Sequence, residues 1–243
     1  MQISIVIPTY NEAENLPRLV LDVLNLPLDG LRILIVDDNS PDGTGEIAER
    51  LALENPGRIT VLHRAGKLGL GTAYITGFKQ ALSEGAQAVG QMDADFSHPP
   101  QKIVDLASAL QGCDVSSGSR YISGGQLDDR WPLWRKWLSE FGNWYAHTIL
   151  GLQLVDVTGG FRLWRRETLL GMPLDRIRSN GYMFQVEMAY VATRLGYHFA
   201  EVPFYFADRR VGKSKMSLNI QFEAAIRTWQ LRSMYRDLKK PKF

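Results

Sequence analysis

The sequence predicts an α/β fold in which a mostly parallel sheet is flanked by helices on both faces. Short apolar runs, typical of strands buried on both sides, alternate along the first half of the chain with segments of helical periodicity. Turn-forming residues follow the first two runs, at the strand ends where open α/β sheets bind ligands. A length of 243 residues and a hydrophobic content of 45% are consistent with one large globular domain that has a sizeable core.

Strands and helices are predicted to alternate regularly in the first half of the chain. The strands are expected over 3–8, 31–37, 58–63, 86–92 and 113–118, and the helices over 12–25, 44–54, 71–83 and 101–110. Asn11, followed three residues later by Glu14, matches a capping box at the start of the first helix. The second half is less regular. Helices are predicted there over 131–150, 183–195 and 218–238, and strands over 158–163 and 197–206.

Composition excludes several classes of protein. A single cysteine, Cys113, rules out an internal disulfide framework. The chain contains no apolar run of about 18 residues, which a membrane-spanning helix would need. It begins with Met1-Gln2-Ile3, without a basic leader or a long apolar stretch, and ends at Phe243 without an added membrane span. A cytoplasmic location is therefore expected.

Charge is distributed unevenly along the chain. The 28 Lys and Arg residues exceed the 26 Asp and Glu residues by only two, which argues against a nucleic-acid binder. Between residues 208 and 243, however, ten basic residues face three acidic ones. This basic segment is either a solvated helix face or a site for an anion. The anion would be a phosphorylated substrate or an anionic membrane surface.

Carboxylates follow two of the predicted strands. Asp93-Ala94-Asp95 comes after the fourth strand and before Pro99-Pro100. Two carboxylates suit Mg²⁺ or Mn²⁺, which takes one or two carboxylates and fills its shell with water and substrate phosphates. Asp37-Asp38 ends the second strand, where an acid commonly accepts hydrogen bonds from a ribose or a base. For both pairs, an ordinary surface turn is the alternative interpretation.

Two phosphate-binding motifs are incomplete. The glycine-rich segment 66–71 follows the third predicted strand, whereas a dinucleotide-binding turn follows the first. Gly212-Lys213-Ser214 resembles the end of a P-loop, but Ala207 stands where that motif needs glycine. These departures exclude a Rossmann oxidoreductase and a P-loop NTPase.

Seven short motifs follow one another along the chain, and their combined order is far more specific for a family than any single motif. They are Pro8-Thr9-Tyr10-Asn11-Glu12, residues 37–44, residues 69–74, residues 93–99, Ser119-Arg120-Tyr121, Gly160-Phe161-Arg162 and the segment from Arg209 to Lys215. Together they resemble the dolichyl-phosphate (polyprenyl-phosphate) mannosyltransferases of glycosyltransferase family 2, over residues 3 to about 216. The resemblance implies a GT-A fold with amphipathic helices on the acceptor side. It divides a single catalytic domain into a nucleotide-binding half (1–120), an acceptor half (121–216) and a basic C-terminal helix and tail (217–243).

The resemblance also implies substrates and a cofactor. GDP-mannose would be the donor, a polyprenyl or dolichyl monophosphate the acceptor, and Mg²⁺ or Mn²⁺ the cofactor. Donor-binding residues carried over from the family are Pro8, Tyr10, Glu12, Val36 and Asp38 at the nucleoside, the backbone of Ala94, and Arg120, Arg209 and Lys215 at phosphates. Asp93 and Asp95 would hold the metal. Ser97 is a further metal candidate, at a position where some relatives have glutamine.

The chemistry requires two anions to be held close together. The acceptor phosphate is ionised at neutral pH, because its second pKa lies near ~6, so no strong general base is needed. Fixed cations must offset the repulsion between acceptor and diphosphate. We assign the acceptor phosphate to Arg120, Arg135, Ser139 and Arg209, since Arg135 and Ser139 share one helix face at i and i+4. Asp93, Asp95, Arg120 and Arg209 are the predicted catalytic residues, and the resemblance implies inversion at the anomeric carbon.

An aromatic helix provides a route to the lipid. Trp134, Trp137, Phe141 and Trp144 recur at helical spacing, which indicates either a core face or contact with a membrane interface. We expect a peripheral protein on the cytoplasmic face of a membrane, bound to its surface or to a membrane-anchored partner protein. Two other functions remain open at this stage. One is a UDP-glucose-dependent transferase that acts on the same kind of lipid, and the other is an inactive nucleotide-sugar-binding subunit.

Overall fold

The structure is a computed structural model that describes residues 1–207 and 218–238. In this part of the chain the strands are β1 (Ile3–Thr9), β2 (Leu31–Asp37), β3 (Ile59–His63), β4 (Ala88–Gln91), β5 (Val115–Ser119), β6 (Gln126–Leu127), β7 (Arg162–Arg165), β8 (Phe199–Pro203) and β9 (Tyr205–Phe206). The helices are α1 (Leu16–Leu24), α2 (Thr44–Glu54), α3 (Leu70–Ser83), α4 (Lys102–Ala109), α5 (Leu133–Leu150), α6 (Arg166–Gly171), α7 (Tyr182–Leu195) and α8 (Leu218–Met234).

Seven strands form one sheet in the spatial order β3-β2-β1-β4-β7-β5-β8. The pairs β1–β2, β1–β4, β2–β3 and β5–β8 are parallel, and β7 runs antiparallel between β4 and β5. The predicted mostly parallel sheet is therefore confirmed. Because β7 and β8 come from the second half of the sequence, both halves build the same sheet.

Alternate residues of the central strands enter two hydrophobic clusters on opposite faces of the sheet. Val6 and Val36 point toward α3, whereas Ile5 and Ile35 lie in the cluster that includes α1, α2 and α4. Burying each such side chain stabilises the fold by about 1.5–3 kcal/mol. Helix α3 packs very closely on β1, since a Cβ added at Gly77 would lie 2.4 Å from Val6 Cγ1.

The prediction that a capping box at Asn11 and Glu14 opens the first helix is wrong. Helix α1 begins at Leu16, and Asn11 adopts a left-handed conformation with φ of 61°. The backbone N–H of Asn11 donates to the Ser40 hydroxyl, and the next N–H along the chain donates to the Thr44 hydroxyl. These bonds hold the residues after β1 as a loop beside the following turn.

Two predicted strands in the second half have different boundaries. The strand predicted over 158–163 begins only at Arg162, because Asn143 of α5 accepts hydrogen bonds from the backbone N–H groups of Val157 and Thr158 and holds that segment as a loop. The strand predicted over 197–206 is split into β8 and β9. Strand β8 joins the large sheet, and β9 pairs with β6 in a separate two-stranded sheet.

Candidate active site

Three neighbouring parallel strands end at the edge of the sheet where polar loops were predicted. Strand β1 lies between β2 and β4 and pairs with both. The chain proceeds from β1 to β2 and β3 on one side and reaches β4 on the other, so the strand order reverses at β1. Ligands of open α/β sheets bind at such a reversal, outside the carboxyl ends of the strands. Glu12, Asp38 and Asp93 all follow strands that end at this edge.

The two acids that end β2 have different surroundings. Asp37 accepts hydrogen bonds from the hydroxyls of Thr9 and Ser40, so it stabilises the turn. Asp38 lies 3.2 Å from Arg64, measured between Asp38 Oδ1 and Arg64 Nη1. Burial raises the pKa of Asp38, and the positive charge of Arg64 opposes that rise. Of the two acids, Asp38 is the better candidate for a nucleoside contact.

The other predicted nucleoside contacts differ in accessibility. Pro8, Tyr10 and Glu12 are partly exposed in the loop after β1. The Lys67 ammonium lies 3.9 Å from the centre of the Tyr10 ring, so the loop after β3 reaches this side of the site. Val36 has no exposed surface and packs in the cluster beneath α3. A contact between Val36 and a nucleoside would require the surrounding chain to move.

The acid pair lies in a sharp bend after β4. Phe96 has a left-handed φ of 62°, so the alternation of an extended chain does not continue past Asp95. The backbone N–H of Ser97 donates to Asp95 Oδ1 at 3.0 Å and holds that carboxylate. Ser97 and Ala94 are both buried. The assignment of Ser97 as a metal ligand stays a prediction, since its visible contribution comes from its backbone.

Two buried aromatic residues hold Asp93. The Tyr74 hydroxyl donates to Asp93 Oδ1 at 2.7 Å, and His98 Nδ1 accepts the backbone N–H of Asp93 at 3.0 Å. Burial raises the pKa of Tyr74 well above its usual value, with the charge of Asp93 adding to the rise. Burial lowers the pKa of His98 despite the nearby charges of Asp93 and Asp95. Both aromatic side chains are therefore neutral at neutral pH, and both lie within electrostatic reach of the acid pair.

An aromatic junction connects the acid pair to the predicted acceptor side. Its members are His98, Phe161, Phe204, Phe206 and Trp131. The His98 ring stacks on Phe161 at 4.9 Å and meets the edge of Phe206 at 6.2 Å, both between ring centres. The Arg120 guanidinium lies 5.3 Å from the centre of the same Phe206 ring. Asp93, through His98, and Arg120, through Phe206, therefore both contact one aromatic cluster.

Arg120 forms a buried ion pair that the sequence did not reveal. Its Nε and Nη2 each donate to Asp156 at 2.7 Å, and Nη2 also donates to the Thr158 hydroxyl at 2.7 Å. Burial alone would raise the pKa of Asp156, but the charge and hydrogen bonds of Arg120 outweigh it and lower the pKa. Within the described residues Nη1 makes no hydrogen bond, so Nη1 remains for a further acceptor.

Helix α5 places two more predicted residues beside Arg120. The Ser139 hydroxyl lies 2.8 Å from the hydroxyl of Tyr121, the residue that follows Arg120. The Arg135 guanidinium lies 3.5 Å from the centre of the Trp131 ring, which in turn meets the edge of Phe206. Arg135 and Ser139 are therefore connected to Arg120 through the rings of Trp131 and Phe206 and through Tyr121. Arg209 and Lys215 lie outside the described residues.

Sequence reasoning missed several residues that build this side of the site. Glu201 of β8 accepts the backbone N–H groups of residues 155 and 156, and Asn143 of α5 supports the next two residues. These contacts fix the loop that presents Asp156 to Arg120. Trp131 was also missed, and its buried indole N–H has no hydrogen-bond partner among the described residues. No local pattern predicts these roles, because every one depends on a partner far away in the chain.

Asp93 and Asp95 suit a divalent cation whose remaining ligands come from water and a bound phosphate. Within the described ranges, no third His, Cys, Asp or Glu joins Asp93 and Asp95 in a metal-binding group. Mg²⁺ and Mn²⁺ commonly bind through one or two carboxylates together with water and phosphate oxygens. The donor set therefore suits a cation that is shared with a diphosphate ligand.

Helix α5 exposes a stripe of aromatic side chains. The aromatic stripe consists of Trp134, Trp137, Phe141 and Trp144, which are 44–66% exposed. Trp137 stacks on Phe141 at 5.4 Å, so neighbouring members support one another. The buried face of the helix is formed by Asn143, Ala146 and Leu150. Of the helices in residues 1–207 and 218–238, none combines the length and apolar character needed to cross a membrane.

A mostly parallel sheet with an acid pair at its strand reversal is the arrangement that the GT-A fold predicted from the sequence requires. The chain belongs to glycosyltransferase family 2: the family model described as "Glycosyl transferase family 2" matches residues 4–170. The family resemblance and the GT-A fold predicted from the sequence are both confirmed.

Two curated relatives match most of the chain. It is 43% identical over 241 residues to an undecaprenyl-phosphate mannosyltransferase from Micrococcus luteus, covering 98% of each chain. It is 44% identical over 214 residues to a polyprenol monophosphomannose synthase from Mycolicibacterium smegmatis, covering 88% of this chain and 80% of the relative.

Solved structures share the fold at low sequence identity. A mannosyltransferase from Pyrobaculum calidifontis, in complex with GDP-Man and Mn²⁺, has a TM-score of 0.64 and 19% identity, over 99% of this chain and 66% of that one. Glucosyl-3-phosphoglycerate synthase from Mycobacterium tuberculosis, with Mn²⁺ and UDP, has a TM-score of 0.62 and 18% identity, over 99% and 81%. These likenesses support the fold assignment.

Proposed function

We propose that this protein transfers mannose from GDP-mannose to a polyprenyl monophosphate and forms polyprenyl phosphate mannose with inversion. The observation that carries the proposal is the 43% identity, over 98% of both chains, to an undecaprenyl-phosphate mannosyltransferase. The motifs that resemble the family support GDP-mannose as donor. Arg120, Arg135 and Ser139 contact Phe206, Trp131 and Tyr121 respectively, and two cations and a hydroxyl in this region support an acceptor that carries a phosphate.

The reaction is a direct displacement at the anomeric carbon. A phosphate oxygen of the acceptor forms a bond to that carbon while the bond to the diphosphate breaks, and the electron pair of the broken bond leaves with GDP. Mg²⁺ or Mn²⁺ held by Asp93 and Asp95 would supply Lewis-acid stabilisation of the charge that develops on the diphosphate. Tyr74 and His98 hold the Asp93 side of this pair in place.

The acceptor is held by cations and polar groups. At neutral pH its phosphate is already ionised, so binding and orientation are the main tasks of the protein on this side. Arg120 is fixed by Asp156, and its Nη1 would meet a phosphate oxygen. Arg135 and Ser139 would contact the same group, and Arg209 and Lys215 are proposed to complete the charge balance near the diphosphate.

A donor panel tests this function. The protein and a short-chain polyprenyl phosphate are incubated separately with each of four donors: GDP-mannose, GDP-glucose, UDP-glucose and UDP-N-acetylglucosamine. Products are identified by mass spectrometry and by chromatography of the released sugar. We expect mannose transfer from GDP-mannose. Glucose transfer from UDP-glucose would support the alternative transferase. Binding of a nucleotide sugar without any product would indicate an inactive subunit.

We further propose that the protein docks peripherally on the cytoplasmic face of a membrane through α5 and α8. The aromatic stripe is exposed, and α8 beside it exposes Ile226 and Trp229. The Trp229 indole N–H donates to the Tyr145 hydroxyl at 2.9 Å, which ties the two helices together. Tryptophan favours the membrane interface, and an amphipathic helix can lie in that plane without crossing it.

Replacing Trp134 and Trp137 by serine is expected to reduce vesicle binding at least about tenfold, because burying one large apolar side chain is worth about 1.5–3 kcal/mol. Co-sedimentation with phosphatidylcholine–phosphatidylglycerol vesicles measures the effect. Leu53→Ser is the matched control, since Leu53 is 82% exposed on α2. Equal binding of the double variant and the wild type would contradict the assignment of this face. No binding by the wild type would favour a membrane-anchored partner protein.

A further inference from the structure

We propose that Tyr74 is a positioning residue for the reaction: its hydroxyl sets the orientation of the Asp93 carboxylate and thereby the affinity of the site for the divalent cation that accompanies the nucleotide. This inference rests on the proposed function, because it assumes that Asp93 holds a cation. It adds a residue that contacts neither substrate nor metal and acts only through Asp93.

The contact itself is short and buried. Tyr74 Oη donates to Asp93 Oδ1 at 2.7 Å, and Tyr74 has no exposed surface. A buried hydroxyl needs a hydrogen-bond partner, and a backbone carbonyl would have been sufficient. Here the partner is the carboxylate of Asp93, which follows β4 at the edge of the sheet where the candidate site lies. A hydrogen bond to an ionised acceptor is shorter and about twice as strong as one between neutral groups.

The tyrosine is rigidly held. Its ring stacks on Phe184 of α7 with 5.8 Å between ring centres and an interplanar angle of 1°. The ring of Phe78, one turn further along α3, lies 5.9 Å from the Tyr74 ring, measured between ring centres. Helix α3 is itself packed closely on β1 through Gly77. The hydroxyl is therefore fixed relative to the sheet, and it can fix the carboxylate that it contacts.

The hydrogen bond controls one particular degree of freedom. His98 holds the backbone N–H of Asp93, but only Tyr74 holds the carboxylate itself among the hydrogen bonds of the described residues. With Oδ1 bonded to Tyr74, rotation of the carboxylate is restricted and Oδ2 keeps a defined direction. Loss of a partner that orients a metal ligand typically lowers metal affinity or activity by about 10- to 100-fold.

The test is the affinity for GDP with and without metal, measured by isothermal titration calorimetry on the full chain. The ratio between the dissociation constant in EDTA and that in saturating Mn²⁺ reports the contribution of the metal, independently of turnover. We expect Tyr74→Phe, which removes one oxygen atom, to lower this ratio by about 10-fold or more while the constant in EDTA is unchanged. A merely structural role would raise both constants together.

Two further variants separate the possible outcomes. Tyr235→Phe is the matched control, because Tyr235 is also fully buried and donates to a carboxylate, that of Glu187, at 2.7 Å. It should keep the wild-type ratio. Asp93→Asn should abolish the effect of the metal. If Asp93→Asn abolishes the effect of the metal on GDP affinity but Tyr74→Phe keeps that effect, the positioning role is overturned and the proposed function stands.

Two other results would be equally decisive. If Asp93→Asn retains the full effect of the metal, Asp93 is not a metal ligand, and both the proposed metal role and the role of Tyr74 are overturned. Should Tyr74→Phe fail to fold, Phe184→Leu removes the stacking ring but keeps the hydroxyl. A smaller loss of the same ratio in Phe184→Leu would support the inference, and an unchanged ratio would overturn it.

Discussion

Replacing Asp93 by asparagine is expected to lower the rate of mannose transfer by on the order of 100- to 1,000-fold, the usual effect of removing one group that stabilises charge in a transition state. Asparagine keeps the shape of the side chain and an oxygen that can accept the Tyr74 hydroxyl, so the bend after β4 should survive. What is lost is the negative charge that would hold the cation beneath the diphosphate. The rate is measured with saturating GDP-mannose and a short polyprenyl phosphate.

The control for this prediction removes a carboxylate elsewhere. Asp105 of α4 is paired with Lys102 on the surface, 2.7 Å from its ammonium, and Asp105→Asn should retain the wild-type rate. Circular dichroism and thermal melting of both variants establish that the fold is intact. A folded Asp93→Asn protein with near-normal turnover would remove Asp93 from the catalytic machinery.

Replacing Arg120 by glutamine is expected to destabilise the fold by about 3–5 kcal/mol and to abolish acceptor binding. The stability loss follows because Asp156 has no exposed surface and would keep its charge without the guanidinium that pairs with it. Urea denaturation measures the free energy of unfolding, and the KM for polyprenyl phosphate measures acceptor binding.

The double variant Arg120→Gln/Asp156→Asn distinguishes structure from catalysis. A neutral pair keeps hydrogen-bonding groups at both positions and removes the unpaired charge, so we expect at least half of the lost stability to return. If Arg120 contacts the acceptor phosphate, activity stays low in the restored protein. Recovery of both stability and activity would show that Arg120 serves only to hold the loop that contains Asp156.

The same pair predicts a dependence of stability on pH. Although burial opposes it, the net effect of Arg120 lowers the pKa of Asp156 below its usual value of 3.8. The stabilisation from this pair is therefore complete above about pH 4 and is lost as the pH falls through the lower pKa of the folded state. Urea denaturation from about pH 5 to about pH 2.5 measures the free energy of unfolding. Acid should lower this free energy less in the double variant than in the wild type.

Local pattern predicted the first half of the fold well. Strands β1 to β4 are short, largely apolar runs that only a sheet covered on both faces can bury, and α2 was predicted over the residues that it occupies. The position of β7 could not be predicted in this way. It contains buried Arg162, whose guanidinium donates to the backbone carbonyls of Gln185 and Val157. A buried arginine is stable only with such partners. Gln185 lies 23 residues away and leaves no signal in the local sequence.

The candidate site shows the same division. Asp93, Asp95 and Asp38 could be singled out because acids at strand ends have a known use. Asp156 stands between two valines and looks like an ordinary turn residue until Arg120 is placed beside it. Tyr74 belongs to a motif that was recognised, yet its role depends on the packing of α3 against β1 and β4. Residues that hold other residues in place are visible only once the long-range contacts are known.

The role of Asp93 and Asp95 in holding a catalytic cation is tested most directly by the metal dependence of mannose transfer by the full chain. Radiolabelled GDP-mannose and a short polyprenyl phosphate are supplied, divalent cations are removed with EDTA, and Mg²⁺ or Mn²⁺ is then added back in excess. We expect lipid-linked label to fall to background in EDTA, to return with either cation in the wild-type protein, and not to return in Asp93→Asn. Undiminished transfer in EDTA would contradict the claim that the acid pair acts through a cation.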